Sequence, residues 1–135
     1  NCSRNDLTSL DVSKNTKLTE LDCGYNNLIS LDVSKNTALI LLDCYYNNLT
    51  SLNVSGCTAL TDLSCSGNNL TSLDVSKNTA LTYLSCSSNN LTSAALNQIF
   101  RDLPQVTSGT ISIYSNPGTE TCDKSIAENK GWRVI

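Results

Sequence analysis

The sequence predicts a mainly β chain with a small helical content, wound as a solenoid. Its short strands are expected to stack into one parallel, concave sheet of about six strands, closed by a C-terminal helical cap. Three observations carry this expectation. Cys2, Cys23, Cys44, Cys65 and Cys86 stand 21 residues apart without exception. Columns of Leu and Val keep the same phase, and an Asn follows each of these Cys residues three positions on. A period this short and this strict belongs to a structural unit that buries its apolar face only by stacking on its neighbours.

In chain order, Asn1 to Leu7 match the second half of the unit, so the chain opens inside a coil. An uncovered first coil would present an apolar end and a free strand edge. The sequence therefore predicts either further chain before Asn1 or self-association at that end. Each full copy reads L-x-x-L-x-C-x-x-N-N-L followed by x-S-L-x-V-S-x-N-T-x. Around Leu42-Asp43-Cys44, and again around Leu52-Asn53-Val54, inward and outward residues alternate as in a strand. Two short extended segments per coil follow, and 21 residues that must also supply two turns leave no room for a helix. Asn5, Asn26, Asn47, Asn68 and Asn89 are placed where the chain leaves the strand, their amides serving backbone groups that the turn would orphan. Asn15, Asn36 and Asn78 form a second such column, with Cys57 in its fourth place as either a tolerated small residue or a reactive exposed thiol.

After Leu91 the phase breaks. Residues 92–103 pair a capping Ser with apolar residues at Ala95, Leu96, Ile99, Phe100 and Leu103, an amphipathic helix stopped by Pro104. Residues 110–116 return to the strand template, with Ile111 in the Leu column, Ile113 in the Cys column and Asn116 in the Asn column, as the expected sixth strand. Asn116-Pro117-Gly118 reads as a turn, and Asp123 to about Lys130 as a short helix stopped by Gly131. Trp132, Val134 and Ile135 supply bulk over the open core, and Cys122 is another cap residue. Residues 1–91 are thus read as repeats, the first one partial, and 92–135 as a cap on the same continuous domain.

Seven Cys in 135 residues would ordinarily suggest a disulfide framework. Residues stacked in register on parallel strands, about 4.8 Å apart, have parallel Cβ vectors that suit a disulfide poorly. The ladder is read as reduced, buried thiols that pack as small hydrophobes. A linear column offers no tetrahedral metal set, and there is no His to support one. The lack of His also removes the commonest general base, leaving Cys57 or Cys122 as a nucleophile with nothing to activate it, so no enzyme and no cofactor is expected. A net charge of −3 and the lack of a basic cluster speak against nucleic acid, and no apolar run is long enough for a membrane span.

The unit L-x-x-L-x-C-x-x-N-x-L resembles the leucine-rich repeat. Its 21-residue period and inward Cys are similar to the cysteine-ladder form of internalin J-like and related bacterial surface proteins. The resemblance spans residues 2–91 and the tail resembles the closing segment of such proteins. It implies a right-handed solenoid, a place at the cell surface or in the secreted fraction, and binding of a protein or glycan on the concave sheet. The other reading it leaves open is a spacer or stalk segment of a larger adhesin.

On the strand template all five tyrosines, Tyr25, Tyr45, Tyr46, Tyr83 and Tyr114, face outward. Ile40 and Leu41 are also expected outside, where a buried coil has no use for apolar residues. Glu20, Asp22, Asp43 and Asp62 surround them, whereas later strands offer Ser64, Ser66, Ser85, Ser87 and Ser88. One half of the sheet is therefore expected to be aromatic and acidic, the composition of a protein-binding hot spot or a carbohydrate platform. The Asp11, Asp32 and Asp74 row, with Lys14, Lys35 and Lys77 three residues on, reads as a solvated convex face, where the Lys residues compete with calcium. The Asn-Leu-Thr triplets at Asn48, Asn69 and Asn90 read as by-products of the repeat.

Overall fold

The computed structural model describes residues 1–135. Its strands are β1 (Glu20–Asp22), β2 (Ser30–Asp32), β3 (Leu41–Asp43), β4 (Ser51–Asn53), β5 (Asp62–Ser64), β6 (Tyr83–Ser85), β7 (Gly109–Ser112) and β8 (Trp132–Val134). Six of them form one parallel sheet in the order β1-β3-β5-β6-β7-β8, and β2 pairs with β4 on the return side. The return leg is thus regular in only two coils; the segments around Leu10 and Leu73 follow the same path without forming strands.

The register is the sequence repeat made physical. Leu21, Leu42, Leu63, Leu84, Ile111 and Val134 lie side by side across the sheet. The number of strands is as expected but their identity differs. Asn1 to Asn5 track β1 through bonds such as Cys2 N–H to the Asp22 carbonyl without forming a strand, and the sixth place goes to β8, read from sequence only as bulk for the cap. A single apolar core runs the length of the stack and includes Cys23, Cys44, Cys65 and Cys86, all fully buried and unbridged. Each buried Leu contributes on the order of 2 kcal/mol.

The Asn ladder stitches coil to coil. Asn47 Nδ2 donates to the carbonyls of Cys44 in its own coil and Cys23 in the one before, both at 3.1 Å, while its Oδ1 accepts the Leu28 N–H at 3.0 Å. Asn26, Asn68, Asn89 and Asn116 repeat this clamp. In the second column Asn36 and Asn78 are fully buried, but Asn15, in the first coil, is exposed. Cys57 is fully buried, and its thiol donates to the Val33 carbonyl at 3.1 Å, the bond that Asn36 and Asn78 make with Val12 and Val54. Burial pushes that thiol up to about 11, so Cys57 is the small substitute and not the reactive thiol.

The cap begins with α1 (Ser93–Asp102), which buries Leu96, Ile99 and Phe100. Its N-cap is Thr92, whose hydroxyl accepts the Ala95 N–H, and not Ser93, which already has helical geometry. Lys130 Nζ closes the other end by donating to the carbonyls of Arg101 and Leu103. The second helix, α2 (Ser125–Glu128), is shorter than expected because its flanks relax into turns before Gly131 at φ +85°. Trp132 is 2% exposed and donates Nε1–H to the Pro104 carbonyl, which leaves it no role as a ligand platform. Cys122 is half-buried in the cap, with its thiol on the Thr119 carbonyl.

Candidate functional site

The outer face of the sheet is shaped by one backbone position in every coil. Arg4, Tyr25, Tyr46, Gly67, Ser88 and Ser115, each two residues past the ladder position, all have φ between +50° and +66°. Left-handed backbone costs a residue with a Cβ about 1 kcal/mol. The coil requires it here because the chain must leave the strand sharply while the next Asn turns inward. At Tyr25 and Tyr46 this turn brings two rings of neighbouring coils together.

The rings of Tyr25 and Tyr46 stack with centroids 4.9 Å apart and planes at 14°. Tyr45 meets both edge-on, at 5.2 Å from Tyr25 and 6.0 Å from Tyr46. Each such pair contributes roughly 0.5–1.5 kcal/mol beyond its buried area. Two glycines make room for the group. A Cβ on Gly24 would stand 2.8 Å from Tyr45, and one on Gly67 would stand 2.7 Å from Tyr46. Arg4 lies over the Tyr25 ring with Cζ 4.8 Å from its centroid. Gly24, Gly67 and Arg4 escaped the sequence reading. The signal was present in the alignment of the copies: Gly24 stands one coil before Tyr45 in the same column, and Gly67 one coil after Tyr46.

Beside the rings lie the carboxylates. Asp22 and Asp43 are register partners on β1 and β3, and Leu41 lies between Glu20 and Asp62 on the flanking strands. Asp22 is bonded by Asn1 Nδ2 and the Gly24 N–H, and Asp62 by the Thr61 hydroxyl. Asp43 has no such donor. Burial, then the charges of Asp22 and Asp62, hold its carboxyl above the usual range. Burial, then the charges of Asp22 and Asp43, push the Tyr45 phenol up, with Tyr25 adding to the rise and Arg4 opposing it. Ile40 is exposed as expected from the sequence, whereas Leu41, also expected outside, is half-buried.

The structure thus brings together Glu20, Asp22, Tyr25, Ile40, Leu41, Asp43, Tyr45, Tyr46 and Asp62 on the first three strands of the sheet. Tyr83 sits at the margin, next to Asp62 in register. Tyr114 occupies the Tyr45 column three strands away, roughly 14 Å at ordinary strand spacing, and pairs with no ring. The hydroxyl half is less open than expected. Ser85, Ser87 and Ser112 are buried, with Ser66–Ser85 and Ser87–Ser112 hydroxyl pairs at 2.6 and 2.8 Å. No group of His, Cys, Asp and Glu side chains is arranged to hold a metal ion. Burial raises Cys23 and Cys65 to about 12, and Cys44 and Cys86 well above an ordinary thiol. No helix is long and apolar enough to cross a membrane.

A parallel sheet of 21-residue coils with an inward thiol and an amide clamp in each defines a right-handed leucine-rich repeat solenoid. The chain is a leucine-rich repeat protein of the bacterial cysteine-ladder type. It is similar to the functional domain of InlJ from Listeria monocytogenes, which includes a cysteine ladder. The two share 43% identity with a TM-score of 0.76, over 95% of this chain and 27% of that one. It also shares its fold with the Leptospira interrogans leucine-rich repeat protein LIC12759, at 23% identity and a TM-score of 0.72, over all of this chain and 42% of that one. The chain therefore spans well under half the length of either. No protein-family model and no curated protein matches it.

Proposed function

We propose that this chain is a non-catalytic recognition module of a bacterial surface or secreted protein, binding a protein or glycan through the concave sheet. The observation that carries the reading is the Tyr25–Tyr45–Tyr46 cluster, which is solvent-facing, internally packed and accommodated by Gly24 and Gly67. Tyrosines that merely favoured strands would be scattered. Rigid rings joined to an acidic, partly apolar surround have the make-up of an interaction hot spot, since little entropy is lost when a ligand docks on groups already held in place.

A glycan array and a pull-down of host proteins, run with the whole chain, test the proposal. Ligands recovered with the wild type should be lost or strongly weakened with Tyr45→Ala combined with Tyr46→Ala. Unchanged binding of every ligand by that folded variant would overturn the concave-face reading.

One observation favours a second reading. The chain covers 27% of the InlJ chain it resembles, and the sheet beyond β5 closes its hydroxyls on one another. In a longer solenoid such coils serve as a spacer that holds another surface at a distance. Further coils carrying their own aromatic groups in the full protein would support that reading.

A further inference from the structure

Resting on the concave-face reading, we propose that the patch receives a protein ligand through a basic side chain, its cation set among Asp22, Asp43 and Asp62 and its aliphatic stem over Leu41 and Tyr46. Charge complementarity selects this occupant. Asp22 and Asp43 are register partners on β1 and β3, Asp62 stands beside Leu41 on β5, and the groups acting on Asp43 are burial and these two further acids, with no cation among them. Asp22 and Asp62 are already hydrogen-bonded within the chain, so Asp43 is the acceptor left free to anchor a donor. A guanidinium can bond a carboxylate through two parallel N–H groups, and either cation relieves the mutual repulsion of the acids. A neutral sugar hydroxyl donates a hydrogen bond but leaves the three charges uncompensated.

The aromatic part fits the same occupant. Arg4 over Tyr25 shows, within the chain itself, that this stack accepts a guanidinium on a ring face. Ile40 and Leu41 supply apolar surface beside the acids, matching the methylene stem of Lys or Arg better than a polyhydroxylated ring.

The test is an NMR titration of the whole chain at low salt with N-acetyl-arginine methylamide, and with the near-isosteric but uncharged N-acetyl-citrulline methylamide. The arginine probe should shift Asp22, Leu41, Asp43 and Tyr46 saturably, with citrulline roughly tenfold weaker. Asp22→Asn with Asp43→Asn should cost the arginine probe a similar factor. Asp32→Asn with Asp74→Asn, the same charge change on the opposite face, should leave it unchanged. Equal binding of the two probes, or an equal loss in the opposite-face variant, would overturn the inference. A neutral glycan that depends on Tyr45 and Tyr46, with no preference for arginine over citrulline, would overturn it while leaving the concave-face reading intact. Binding indifferent to both tyrosines would remove both.

Discussion

The Asp43 carboxyl is half-buried beside its register partner Asp22, with Asp62 on the next strand, and it is the residue where surface and scaffold pull in opposite directions. Its carboxyl is held above the usual range by burial, then by Asp22 and Asp62. A carboxylate whose proton is held more tightly in the folded than in the unfolded chain favours folding while protonated. It opposes folding once the pH rises through its folded value. Asp43→Asn should therefore raise the melting temperature at pH 7, and the gain should shrink as the pH falls toward the ordinary carboxylate range and wild-type Asp43 takes up its proton. Asp32→Asn should do the reverse. Hydrogen bonds from the Ser34 N–H and hydroxyl, with Lys35 helping, hold its carboxyl low, so its ionised form adds stability that is lost in acid. Melts of the two variants across pH check both signs.

The coil is the element that the sequence made legible, because five ladder positions at one spacing tested the same pattern repeatedly. From the second coil on, the Cys column and the first Asn ladder are buried where that pattern puts them, while in the first coil Cys2 is half-buried and Asn5 exposed. Less legible was whatever depends on contact between coils and not on position within one. β8 could not be read from Trp132-Arg133-Val134 because its pairing with β7 is set by the cap that carries it there. Asn15 lacks the burial of Asn36 because the first coil has no neighbour on its outer side in this structure. At the site, outward residues were legible from alternation alone, yet their grouping was not. Tyr114 shares a column with Tyr45 but lies three coils away, and the αL turn that stacks Tyr25 on Tyr46 is marked in the sequence only by Gly67 in the same column. The ladder itself gives a prediction at this scale. Asn47→Ala orphans the buried N–H of Leu28 and leaves the carbonyls of Cys23 and Cys44 with only the Asn26 and Asn68 amides as donors, and should cost ~1–3 kcal/mol in a denaturant titration.

Across the whole molecule, stability and recognition occupy opposite sides of the same strands. Leu42 and Cys44 face a core that runs the length of the stack, while Leu41, Asp43 and Tyr45 of the same coil face outward. The core side should be chemically silent. With Cys23, Cys44, Cys57, Cys65 and Cys86 fully buried and their thiols raised by burial, a maleimide at neutral pH should label the native chain at no position beyond Cys2 and Cys122. All seven should label once the chain is unfolded, as read by mass spectrometry.

Recognition by the outer side is tested by mapping a recovered ligand onto the folded chain by NMR. Perturbations are expected on the first three strands of the sheet, centred on Leu41, Asp43, Tyr45 and Tyr46 and fading toward Tyr114. A footprint on the Asp11, Asp32 and Asp74 row, or on the cap around α1 and Trp132, would contradict the account.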